Sequence, residues 1–147
     1  MGPDTSALET IVPRILDHFA AKNAARETAL TASRTLIRMS ANAIRAVHRH
    51  DLDRARQLLA EARAIRDEAV LALKGHPDIE YAGFLHDAQK EFAEANATLA
   101  LLGEGRLPAP EELGVEYAAY LNGIAEAVGE LRRYLLDRLR AGVYEGC

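Results

Sequence analysis

The sequence predicts an all-α fold of long antiparallel amphipathic helices, and three observations carry that expectation. The 147 residues are 49% hydrophobic but only 5% aromatic, with no Trp, and are rich in the Ala, Leu, Glu and Arg that favour helices over sheets. Apolar residues recur at helical intervals along four long stretches. The breaks between those stretches are marked by Gly and Pro, at Gly75-Pro77 and from Gly103 to Gly114.

The first stretch runs from about Ser6 to His50. Its apolar residues Leu8, Ile11, Ile15, Phe19, Leu30, Ile37, Ile44 and Val47 keep helical spacing, and Pro13 marks a kink or a late start. Asp51 is placed to cap the next helix, whose face is Leu52, Ala55, Leu58, Leu59, Ala62, Ile65, Ala69 and Leu73. Lys74 and Gly75 close it. A third helix is expected from Pro77 to about Leu102, with Asp78 and Glu80 favourable for the dipole of its first turn. Its seam is Phe84, Ala88, Phe92, Ala95, Leu99 and Leu102. Gly103-Glu104-Gly105, Pro108 and Pro110 form a loop with a short turn at Glu111 to Leu113, and a last helix spans roughly Glu116 to Ala141. On that helix the expected packing seam is Leu121, Ile124, Val128, Leu131 and Leu135. Gly123 and Gly129 within it each cost about 1 kcal/mol relative to Ala, which points to close approach of another backbone there. No internal repeat or low-complexity segment is visible, so residues 1–147 read as one domain.

Composition excludes several classes of function. The net charge of −4 argues against coating nucleic acid by bulk charge, so any such site must be a local patch. There is no run of about 18 apolar residues and no basic-then-apolar start, hence no membrane partner is expected. The single Cys, Cys147, has no partner for an internal disulfide and fits a reducing cytoplasm. His18, His48, His50, His76 and His86 show no zinc spacing and read as exposed. The absence of a Glu-x-x-His motif disfavours a di-iron bundle, and no phosphate-cradling glycine motif is present.

Two constellations remain. Glu91 and Glu94, spaced by three, and Glu126 and Glu130, spaced by four, each put two carboxylates on one side of a helix. Converging, the four would make an all-oxygen cage for Mg²⁺ or Mn²⁺; otherwise they are solvated acids, Glu130 pairing with Arg133 and Arg133 with Asp137. Glu91 borders the seam of its helix, with Asp87 and Glu94 in an acidic row beside it. Glu126 and Glu130 point away from the expected seam of the last helix. Within one subunit that is a solvent face, and the pairs could meet only if it were covered by another chain or lined a cavity.

The second constellation is basic. Arg34, Arg38, Arg45 and Arg49 fall within a 60° stripe about 22 Å long on the first helix, without an intervening acid. Arg forks suit phosphate oxygens, so the stripe is a candidate nucleic-acid contact; the alternative is a solvated helix face.

The stretches RTLIRMSANAIRAVHR (34–49), HPDIEYAGF (76–84), QKEFAEA (89–95) and YLNGIAEAVGELRR (120–133) resemble the translin family, closest in character to archaeal members and to the translin-associated factor X branch. The resemblance implies a translin-like helical bundle that assembles as a homo-oligomeric, roughly octameric shell and binds single-stranded RNA or DNA inside. The factor X branch implies a metal-dependent endoribonuclease with acids on the inner wall. Glu91 and Glu94 match its Glu-x-x-Glu and Glu130 the glutamate of its Gly-Glu-Leu, as catalytic and metal-binding residues with Mg²⁺ or Mn²⁺ as cofactor. Glu126 stands where that branch has Asp, one methylene shorter. Arg34, Arg38, Arg45 and Arg49 become candidate backbone contacts. A non-catalytic nucleic-acid-binding shell is the alternative. The resemblance also implies a further C-terminal helix beyond these residues; without it an apolar seam is exposed and a smaller or mixed oligomer is expected.

Overall fold

A computed structural model describes residues 5–103 and 105–144, so Glu104 of the predicted loop and Cys147 lie outside the described residues. The described residues are helical, with no strand among them. The elements are α1 (Ser6–His48), α2 (Leu52–Leu73), α3 (Pro77–Glu80), α4 (Gly83–Leu102), α5 (Pro110–Leu113) and α6 (Tyr117–Arg140).

Helix α1 is one continuous helix that contains Pro13. Only its second half is packed: from Thr5 to Thr28 no residue is buried, and Leu8, Ile11, Val12, Ile15, Leu16 and Phe19 are exposed. Lys22 is half-buried and pairs with Asp78 of α3, so at a 1.5 Å rise per residue residues 6–21 reach about 24 Å past the packed region. Asp51 caps α2 as expected, its side chain accepting from the Arg54 N–H at 3.2 Å. Gly75 closes the turn after α2 with φ of +92°, a left-handed conformation that favours Gly.

The predicted third helix is divided. α3 ends at Glu80, Ala82 is extended, and α4 starts at Gly83. The break falls next to a Gly, the poorest helix former after Pro, and it lets buried Ile79 join Leu73 and Leu85 in a cluster with Ala29, Ala32 and Ala69. The main core lies where α1, α2 and α4 meet, with Leu36, Ile44, Leu58, Leu59 and Phe92 at its centre. A third cluster of Ala46, Val47 and Ala55, backed by Leu99, closes the far end.

Helix α2 runs antiparallel to α1 and α4. Helix α6, by contrast, runs in the same direction as α4: Asn122 touches His86, Gly123 abuts Lys90 and Glu126 reaches Lys90. The chain must therefore return along the bundle between Gly103 and Glu116. Arg66, buried on α2, holds that return segment by donating to the Gly114 carbonyl at 2.7 Å. Arg63 donates to the Glu112 carbonyl, Tyr120 Oη to the Pro108 carbonyl, and the Glu116 N–H to Gln89 Oε1.

The packing face of α6 is rotated from the one expected: Ile124 and Leu131 of the predicted seam are half-buried at its edge, and its centre lies elsewhere. Its buried residues are Ala119, Gly123 and Ala127, a row of small side chains at spacing four, whereas Leu121 and Val128 of the predicted seam are 67% and 59% exposed and Leu135 is exposed too. Small residues won over large ones because they allow α6 to lie almost on the backbone of α4. A Cβ added at Gly123 would stand 2.6 Å from the Lys90 carbonyl oxygen and 2.8 Å from both the Ala93 Cβ and the Glu94 nitrogen. Gly129 has nothing within 4 Å of such an atom, so the close approach anticipated at both glycines occurs at Gly123 alone.

The two glycines therefore separate in a denaturation experiment. Gly123→Ala should lower stability by about 1–3 kcal/mol, because the obstructing atoms belong largely to backbone. Gly129→Ala should raise it by up to about 1 kcal/mol through helix propensity. Urea titrations of the two variants followed by circular dichroism check both signs.

Candidate metal and nucleic-acid site

The close α4–α6 contact brings acids of both helices together within one subunit. Oxygen atoms of Glu91, Glu94 and Glu126 lie within 4.8 Å of one another. This corrects the expectation that Glu126 would meet the α4 acids only through another chain or an internal cavity: α6 packs through Ala119, Gly123 and Ala127, a face turned away from the centre of the apolar seam toward Glu126. Asp87 stays exposed and outside the cluster.

The three carboxylates differ in environment. Glu94 is 8% exposed, and its pKa is pushed up to about 7, first by burial and then by the negative charges of Glu91, Glu126 and Glu130. Glu91 is half-buried and Glu126 exposed. Lys90 Nζ bridges these two, 2.9 Å from Glu126 and 3.2 Å from Glu91, and its pKa is raised chiefly by the hydrogen bond to Glu126.

Glu130 is not among the three clustered acids. Its Oε2 pairs with His48 Nε2 across the α1–α6 contact, with Arg133 at 3.8 Å and Asp137 in turn 4.0 Å from Arg133. The charge ladder read from the sequence thus exists, alongside a partner it did not reveal. His48, expected to be exposed, has a side chain only 10% exposed. One turn further along α6, Tyr134 takes the edge of His50 at 5.9 Å between ring centres.

Arg34, Arg38, Arg45 and Arg49 are all exposed. Arg45 donates to Asn42 Oδ1 at 2.6 Å. At 100° per residue the four lie between about 40° and 100° around α1 from His48. The residue that meets Glu130 therefore borders the basic stripe, which puts the stripe on the side of α1 adjoining the acidic edge of α6.

The residues present suit a hard divalent ion. The donors are all carboxylate oxygens within 4.8 Å of one another, near enough for small side-chain shifts to bring them onto one ion, and the set already attracts a positive charge in Lys90. Glu91, Glu94 and Glu126 would hold the ion, and Glu130 is held apart from them by His48. Sequence reasoning missed Lys90 and His48. Lys90 stands next to Glu91 in the chain, but nothing local marked its bridge to Glu126 or the pairing of His48 with α6.

Comparison with known proteins decides the family. The chain is 34% identical to AfC3PO, a translin-family structure, with a TM-score of 0.76 over 95% of this chain and 70% of that one. The chain belongs to the translin family. AfC3PO also has a structure in complex with duplex RNA, which this translin-family chain matches with the same identity and TM-score over 69% of that chain. Apo-NeC3PO, at 24% identity, shares the fold with a TM-score of 0.73 over 97% of this chain and 72% of that one. An uncharacterised protein of Methanocaldococcus jannaschii is 30% identical over 128 residues, 86% of this chain. The chain spans 56% of the length of that relative. No protein-family model matches the sequence.

The raised pKa of Glu94 has a definite sign in stability. The folded state holds its proton up to about pH 7, above the ordinary carboxyl value. Its contribution to stability is thus fully present below pH ~4.5 and is lost as pH rises through ~7. Glu94→Gln should therefore leave stability near the parent's at pH 5 and raise it by up to about 3 kcal/mol at pH 8. Urea titrations in EDTA at the two pH values test this, and equal stability of variant and parent at pH 8 would contradict it.

Proposed function

We propose that this translin-family protein binds single-stranded RNA or DNA as a homo-oligomer in a reducing, cytoplasmic setting, and that it is a Mg²⁺- or Mn²⁺-dependent endoribonuclease hydrolysing RNA phosphodiesters. The observation that carries the reading is the convergence of Glu91, Glu94 and Glu126 within 4.8 Å, beside an exposed stripe of four arginines. RNA as partner is supported by the AfC3PO complex with duplex RNA, and oligomerisation by the unpartnered apolar residues of α1 and α6. No helix among the described residues is long and apolar enough to cross a membrane.

Each group has a chemical part. Arg34, Arg38, Arg45 and Arg49 hold the sugar-phosphate backbone by charge and paired N–H donors. Glu91, Glu94 and Glu126 form the donor set, and the chemistry a divalent ion supplies when bound there is polarisation of the phosphodiester and acidification of a water. Glu94, the most buried of the three, is the donor least accessible to water. His48 orients Glu130 at the edge of the set.

One observation favours a second, non-catalytic reading as a binding shell: Lys90 neutralises two of the clustered acids while His48 engages the fourth glutamate. Labelled single-stranded RNA and its duplex, incubated with protein in Mn²⁺ or EDTA, separate the readings. The nuclease reading expects cleavage that stops in EDTA and falls by at least about 100-fold in Glu94→Gln, the upper end of the cost of losing a group one layer further from a metal, with RNA binding retained. Cleavage unaffected by EDTA, or full activity in that variant, leaves only the binding shell.

The arginine stripe is tested separately. Arg38→Ala combined with Arg45→Ala should weaken binding of single strands alike across sequences. The slope of log affinity against log salt should become shallower by about 1.4, roughly 0.7 for each phosphate that is no longer neutralised. Unchanged affinity and slope would return the stripe to an ordinary solvated face.

A further inference from the structure

We propose that Lys90 is the resident counter-ion of the carboxylate cluster, and that a divalent ion enters only by displacing its ammonium group, so that Lys90 sets the affinity of the site. This inference rests on the metal reading given above and adds the residue that governs it. The first support is position. Lys90 Nζ lies 2.9 Å from Glu126 Oε1 and 3.2 Å from Glu91 Oε1, joining a carboxylate of α6 to one of α4. An ion held by those same oxygens would sit about 2.0–2.1 Å from each if Mg²⁺. The ammonium draws on those two oxygens and carries charge of the same sign, so an ion held by them competes with it directly.

The second support is the way Lys90 is mounted. Its backbone is fixed, because its carbonyl stands where α6 crosses at Gly123. Only the side chain can yield. That side chain is 20% exposed, so it borders solvent, and its flexible four-carbon stem can carry a point charge outward without moving either helix. An Arg here would instead grip both carboxylates with a rigid fork. Lys90 therefore keeps the acids compatible with one another before an ion arrives and raises the threshold for its arrival.

The test is Mn²⁺ binding to the full chain, read from the electron paramagnetic resonance signal of free Mn²⁺. The parent is compared with Lys90→Gln, Lys90→Met, Lys90→Arg and Glu94→Gln. Both neutral variants should bind Mn²⁺ at least about tenfold more tightly, since one competing unit charge is gone, and Lys90→Arg should not tighten. In EDTA at pH 8 the neutral variants should melt below the parent and recover with Mn²⁺. Folded neutral variants with unchanged or weaker Mn²⁺ affinity overturn the proposal. If the parent binds and Glu94→Gln does not, that failure leaves the metal reading standing. If neither the parent nor any Lys90 variant binds at millimolar Mn²⁺, the metal reading fails and this proposal with it.

Discussion

Where α6 crosses α4, a single added methyl at Gly123 would come within 2.6 Å of the Lys90 carbonyl, and the rest of the site is arranged around that contact. Ala119, Gly123 and Ala127 form a row of small residues one turn apart, so the helices approach until backbone meets side chain. Glu126, less than one turn beyond Gly123, is then carried over Glu91 and Glu94. A larger residue at this crossing would hold the helices apart and open the cluster. Burial of two Ala side chains contributes little compared with about 1.5–3 kcal/mol for a Leu or Phe. Shape, the half-buried Tyr120, Ile124 and Leu131, and a few polar links therefore hold α6: Lys90 to Glu126, His48 to Glu130, His50 to Tyr134 and Asn122 to His86.

The same contact creates an electrostatic conflict. Three carboxylates within 4.8 Å cannot all ionise without repulsion, and one of them is largely removed from water. The fold contains the conflict in three ways: Glu94 keeps its proton to about pH 7, Lys90 spans the other two acids, and His48 draws Glu130 aside. None of these makes the arrangement favourable for folding in itself. Local rules broken at one place, with compensation gathered around it, are the pattern expected of a site rather than of a core.

Much of the architecture was legible in the sequence because it is written in period and punctuation. The seam of α2, the cap at Asp51, the turn at Gly75 and the seam residue Phe92 all follow from local chemistry, and each stands where it was expected. The choice of face on α6 was not legible. Leu121, Val128 and Leu135 give the stronger apolar signal, yet the helix packs by Ala119, Gly123 and Ala127, since close approach depends on the absence of side chains, which a hydrophobic pattern does not register. The interior glycine did mark the contact, but Gly129 gave the same sign without one. For the site, the four glutamates and four arginines were found by type and spacing, while His48 and Lys90 act across helices, through pairings that no local spacing encodes.

The two faces of α6 also bear on how an oligomer and a site can share one short chain. Taking 100° per residue from Gly123, four of the exposed apolar residues, Leu121, Val128, Leu135 and Leu139, fall between about 120° and 160° around the helix, with Leu136 at about 220°. Glu126 and Glu130 fall between about −20° and −60°. The two groups are thus close to opposite. A partner seated on the apolar side would bury Leu and Val without covering the carboxylates. The acids stay on the edge that faces α4 and, through His48, the arginine-bearing side of α1. Packing by small residues accordingly does two things at once: it brings the acids together, and it leaves the large apolar side chains of the same helix on a separate face.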